Sequence, residues 1–161
     1  YIQRDRTRSR GVRLLGVDAA GSRTQPVPYY GKIHAGEPAL LPEHREGFLT
    51  MDRRFVPSEQ AYFLKVKGDS MIGRGINNGD YVMVNPTAVP EEGAVIAARL
   101  GEEATVKSLH HRDGQTVLEP ANPAEKTYVV RPGEDFSVLG VVSGVFRPFF
   151  DAKAFENATP A

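Results

Sequence analysis

The chain of 161 residues sets 20 lysines and arginines against 20 aspartates and glutamates, has no cysteine, and is 40% hydrophobic. Such a chain builds a core for one compact domain with an appendage, and the missing cysteines exclude a disulfide-stapled secreted scaffold and thiolate metal centres. No apolar run approaches the ~20 residues that cross a bilayer, and the arginine-rich start has no apolar stretch behind it to make a signal peptide.

The neutral total conceals an asymmetry. Residues 1–14 carry Arg4, Arg6, Arg8, Arg10 and Arg13 against Asp5, a net of +4, which leaves −4 on the rest. A basic arm of this kind reads either as a nucleic-acid contact or as a solvated, partly disordered tail. Residues 15–26 are small, polar and non-periodic, and read as a linker. From about Val27 onward, β-branched and aromatic runs alternate with turn chemistry. Strands are expected over 62–67, 81–85, 94–100, 104–109, 115–119, 128–130 and 137–146. Between them fall Asn77-Asn78-Gly79-Asp80, Glu91-Glu92-Gly93, Gly101-Glu102-Glu103, Asp113-Gly114 and Pro132-Gly133. The pair 94–100 and 104–109 reads as a hairpin with a three-residue loop. Helix is expected only as a turn near Ser70-Met71-Ile72 and weakly over 152–157. The fold class is mostly β, a curled or barrel-like sheet with little helix.

One constellation carries chemistry. Ser70 stands in Gly68-Asp69-Ser70-Met71, Lys107 lies 37 positions downstream in Thr105-Val106-Lys107-Ser108, and an Ala35-Gly36 bond lies 35 positions upstream of the serine. A serine hydroxyl needs a base to take its proton as it attacks, and a lysine serves only when neutral. Burial depresses a lysine pKa, and bringing it from ~10.4 to about 7 costs roughly 4–5 kcal/mol. Val106, Leu109 and the apolar 94–100 strand offer that surrounding. Gly68 and Asp69 suit a tight turn, and the N–H groups of Asp69 and Ser70 are the candidate oxyanion donors. Taken singly these features are ordinary: a structural turn, a solvated strand lysine, an uninformative dipeptide. His34, His44, His110 and His111 are candidate metal ligands, or candidates for the base of a Ser70 triad. Adjacent His110 and His111 point to opposite faces of a strand and cannot share an ion without a bulge, and Lys107 is the better-motivated base. No nucleotide-binding glycine loop is present.

At these residues the chain resembles the LexA family of SOS repressors, self-cleaving peptidases of the Ser-Lys type. Residues 27–38 resemble the family's cleavage segment, 66–71 its nucleophile motif, 76–82 the following Gly-Asp strand, 104–107 its lysine motif and 138–145 its closing strand. The first ten residues resemble the trailing wing strand of the family's winged helix-turn-helix. The resemblance implies a wing remnant over 1–14, a linker over 15–26, a self-cleavage and dimerisation domain over 27–148, and a tail over 149–161 that is longer than the family's. It also implies a truncated repressor without its recognition helix, with Ser70 as nucleophile, Lys107 as general base and Ala35-Gly36 as the bond cut. Further implications are a segment that swings between docked and undocked positions, stimulation by a RecA filament on single-stranded DNA, a homodimer joined near 138–146, and operator binding through the missing N-terminal domain. The location implied is cytoplasmic, with no cofactor, metal or membrane. His34 departs from the small apolar residue the family usually places before the scissile alanine, which bears on the rate. A UmuD-type accessory protein, a phage repressor and a non-catalytic dimerising β-domain are the alternative readings. A signal-peptidase-like enzyme would need a membrane anchor.

Overall fold

The computed structural model describes residues 23–31 and 42–149. Within them lie nine strands: β1 Thr24–Tyr30, β2 Arg45–Asp52, β3 Tyr62–Lys65, β4 Tyr81–Asn85, β5 Val95–Leu100, β6 Glu103–Arg112, β7 Gln115–Glu119, β8 Tyr128–Val129 and β9 Phe136–Phe146. Helical structure among the described residues is confined to the 3-10 turns Pro42–His44, Arg53–Phe55 and Ile72–Arg74. The strands form one mixed sheet in the order β2-β1-β3-β4-β9-β5-β6-β7-β8, open at β2 and β8. The pairing is antiparallel except between β1 and β3. The mostly-β expectation holds. The weak helix expected over 152–157 lies outside the described residues.

β3 to β9 fall where alternation and turn residues place them; β1 and β2 do not. β1 starts at Thr24, inside the stretch read as linker, because Pro26 and Pro28 disguise it. Both prolines lie where β1 has β2 alone beside it, since the contact with β3 begins at Tyr29, and a one-sided strand tolerates a missing donor. The 95–109 hairpin is tighter than expected. Leu100 pairs with Glu103, so the loop is Gly101-Glu102, and Gly101 at φ +62° supplies the positive first central residue of a two-residue turn. At the next hairpin Asp113 (φ +54°) and Gly114 (φ +76°) are both left-handed, as a type I′ turn demands.

β9 gives the sheet its curl. Its C-terminal half pairs with β4 and its N-terminal half with β5, and the ladders overlap at Val141. Ser143 is skipped in the first ladder and Leu139 in the second. An unmatched residue bends a strand and increases its twist. One face holds a shared core in which Tyr62, Leu64, Val82 and Val84 meet Ala97 and Val106 from the other half of the sheet. The opposite face is split between a cluster around Phe63 and Met83 and another around Ile96 and Leu118. The bend carries the loop between β3 and β4 over to β6, the two segments that bear Ser70 and Lys107.

Candidate active site

Ser70 sits on a loop fixed at both ends. At its base Val66 N donates to Asp80 O at 2.7 Å and Gly79 N donates to Val66 O at 2.8 Å. Gly68 takes φ +90°, and an added Cβ would meet nothing within 4 Å, so backbone conformation rather than space calls for glycine. Its N–H donates to Asn78 Oδ1 at 2.7 Å. Immediately after the serine, Met71 is 1% exposed in the shared core. Burying that side chain is worth about 1.5–3 kcal/mol. The serine therefore stands between a glycine-shaped turn and a core anchor.

Asp80 closes the loop from below. It is 1% exposed and accepts from Asn77 N at 2.7 Å, Arg147 Nε at 2.6 Å and Arg147 Nη2 at 2.7 Å. The fork of hydrogen bonds from Arg147 holds its carboxyl below the usual carboxylate range, against the opposing effect of burial.

Lys107 lies on β6. Residues 103–107 pair with β5 alone, because the ladder with β7 starts at Ser108. That open edge is where the serine arrives. Ser70 Oγ lies 3.4 Å from the Val106 carbonyl oxygen, to which it donates. Lys107 Nζ donates to Ser70 Oγ at 3.1 Å and to Thr105 Oγ1 at 2.5 Å. Thr105 and Lys107 share a face because they are two residues apart on a strand. Burial pushes the Lys107 amine below the ordinary lysine value of 10.5, and the Glu125 carboxylate partly opposes this. When the amine is neutral, the contact at 3.1 Å runs the other way, with the serine O–H donating to nitrogen. That is the geometry of a proton transfer from nucleophile to base.

A cleft of about 540 Å³ opens beside the serine, lined by Gly31, Leu64, Val66, Ser70, Ala104 and Val106 among others. Gly31 is the last described residue before 32–41. Ala35, Gly36 and His34 lie outside the described residues. Four residues from Gly31 to Ala35 span up to about 14 Å, so the chain enters that stretch at the wall of the cleft that contains Ser70.

Ser70 and Lys107 are thus brought together, and the N–H groups of Asp69 and Ser70 donate to no described residue. His110 and His111 are placed elsewhere. His110 Nδ1 lies 2.8 Å from Glu92 and its Nε2 3.0 Å from Glu119, while His111 Nδ1 lies 3.4 Å from Glu92. No described histidine bonds the serine hydroxyl, and the described residues hold no cluster of metal-ligand type. Three contributors were not read from the sequence: Thr105, Glu125 and the segment 120–122 behind the serine. Strand alternation could have flagged Thr105. Nothing in the sequence flags the other two.

Comparison with known proteins places the chain in a family. Residues 28–143 match the Peptidase S24-like family. The LexA repressor of Geotalea uraniireducens is 37% identical over 91% of this chain and 72% of its own length. That of Desulfatibacillum aliphaticivorans is 39% identical over 91% and 72%. LexA repressor 1 of Nocardia farcinica is 43% identical over 75% of this chain and 55% of its own. The chain belongs to the LexA family of S24-like peptidases. The matched stretch begins in β1, ends in β9, and includes Ala35, Gly36, Ser70 and Lys107. It is a self-cleaving serine peptidase domain of a repressor family. No helix among the described residues is long and apolar enough to cross a membrane.

Proposed function

We propose that this chain is the regulatory part of an SOS-response repressor that switches itself off by cutting its own Ala35-Gly36 bond, with Ser70 as nucleophile and Lys107 as general base. The observation that carries this reading is the 3.1 Å contact between Ser70 Oγ and a half-buried Lys107 amine, at a cleft whose wall includes Gly31. Neutral Lys107 takes the Ser70 proton as Oγ attacks the Ala35 carbonyl carbon. The carbonyl oxygen becomes an oxyanion that the Asp69 and Ser70 N–H groups receive. Lys107 then hands its proton to the Gly36 nitrogen, the C–N bond breaks, and water releases residues 1–35 from the serine ester.

On this reading a seated cleavage segment covers Lys107, excludes water and lowers its pKa further. A seated state that is a minor population makes uninduced cutting slow. A RecA filament on single-stranded DNA accelerates cutting by binding the seated form more tightly than the unseated one. In the intact repressor the cut separates an operator-reading segment, of which residues 1–14 are the trailing wing strand and the residues from 15 up to β1 the tether, from the domain that pairs two copies. Separated half-site readers lose the effective concentration that made them tight.

The test is incubation near pH 10, followed by mass spectrometry. Wild type yields fragments 1–35 and 36–161, at a rate that rises with pH as Lys107 sheds its proton. Ser70→Ala and Lys107→Ala stay whole and folded. Cutting that persists in Ser70→Ala, or its absence from wild type, refutes the assignment.

A further inference from the structure

We propose that Asn122, 52 positions after the nucleophile and outside every strand, is a positioning residue that aims the oxyanion-binding N–H of Ser70, an inference that rests on the assignment of Ser70 and Lys107 above. The Ser70 N–H belongs to the peptide unit whose carbonyl is that of Asp69. Asn122 Nδ2 donates to that carbonyl oxygen at 2.9 Å. The described peptide bonds are trans, so C=O and N–H of one unit point in opposite directions. Holding the carbonyl on the Asn122 side turns the Ser70 N–H the other way, and it donates to no described residue.

The next peptide unit is held from the same place. Ala121 N donates to Ser70 O at 2.7 Å, and the Ala121 carbonyl accepts from Gly73 N at 2.7 Å. Both carbonyls that flank the serine are therefore taken up by residues 121 and 122, the Asp69 one with only a longer second bond from Ile72 N at 3.4 Å. The approach is close enough that a Cβ on Gly73 would lie 2.6 Å from Ala121 O. The segment is itself stiff. Pro120 and Pro123 bracket it with fixed φ, and Asn122 Oδ1 accepts from Ala124 N at 2.9 Å. That second bond settles the amide orientation: the oxygen serves Ala124, and the NH2 is left for Asp69.

A donor aimed before reaction costs no reorganisation when charge develops. The loop is tied at Gly68, whose N–H donates to Asn78 Oδ1, and at the buried Met71. Asn122 holds the peptide unit between those two ties. A role limited to loop stability would change melting and the Lys107 titration. A role in aiming the donor changes the rate once Lys107 is fully neutral.

The experiment is the pH–rate profile of self-cleavage in the full chain, with wild type, Ser70→Ala, Asn122→Ala and Asn122→Asp in parallel, and thermal melting of each. Asn122→Asp keeps the acceptor for Ala124 N but sets a carboxylate oxygen against the Asp69 carbonyl. The alkaline plateau is expected to fall ~10-fold in Asn122→Ala, less than removing an oxyanion donor outright, and ~100-fold in Asn122→Asp, at the low end of that loss. The midpoint stays in place for the alanine variant and rises for the aspartate variant through its added charge. A folded variant of either kind whose plateau lies within about two-fold of wild type overturns the proposal, as does a loss accounted for by the midpoint alone. If wild type fails to cut, or Ser70→Ala still cuts, the assignment of the site falls and this inference falls with it. If those two behave as assigned and the Asn122 plateaus do not drop, only the inference falls.

Discussion

A lysine on a strand is ordinarily a solvated cation, and what distinguishes Lys107 is its company. Its amine meets Ser70 Oγ and Thr105 Oγ1, and burial lowers its pKa. The sequence made the pair legible through motif and spacing, because Gly68-Asp69-Ser70 and Thr105-Val106-Lys107 are local signals. It could not show Glu125, whose carboxylate opposes the shift through space alone. The pairing of buried Asp80 with the more exposed Arg147 was equally hidden, since a partner 67 positions away leaves no local pattern. That pair has a pH signature. The folded-state pKa of Asp80 lies below its unfolded value, so its contribution to stability is present above the unfolded carboxylate range and is lost as pH falls through the folded value. Arg147→Ala is therefore expected to lower the urea midpoint at pH 7, with a deficit that shrinks progressively in acid. Equal deficits at pH 7 and pH 3 would contradict this.

At the scale of elements, the hairpins were legible because turn residues such as Asp113-Gly114 impose their own backbone geometry. β1 and β2 were not, because prolines and weak alternation mask strands whose register is set by each other. The bulges of β9 were also illegible. Ser137 to Phe146 reads as a plain strand, yet it must serve two ladders that diverge. Gly140 marks the crossing: a Cβ there would lie 2.5 Å from the Asn85 carbonyl oxygen, an atom that cannot move aside. Its role is close backbone approach, which a sequence reports only as a glycine inside a strand.

On the scale of the whole molecule, the bent sheet also exposes an apolar surface. A groove of about 470 Å³ is lined by Met51, Phe55, Phe63, Met83, Val145 and Phe146 among others. Within the chain β9 is paired by β5 only up to Val141 and by β4 only from Val141 onward, so the dimer expected near 138–146 has both a half-open strand edge and this groove beside it. Val145 and Phe146, inside that expected contact, are exposed and lie on the groove. A second copy of the chain is therefore the proposed occupant. Val145→Asp is expected to sediment as a monomer with little change in melting, because Val145 is already 46% exposed; a dimer that survives the change places the interface elsewhere. The deeper consequence of the bend is that it delivers the serine loop to the open edge of β6, where the Lys107 amine is partly stripped of water. Direct titration of that amine decides whether this matters. Side-chain NMR of isotopically labelled lysine in the Ser70→Ala chain, which stays intact at high pH, should show Lys107 losing its proton below 10.5, ahead of the surface lysines and in step with the wild-type rise in cutting rate. A Lys107 that titrates together with the surface lysines, while wild type cuts at lower pH, would contradict the account.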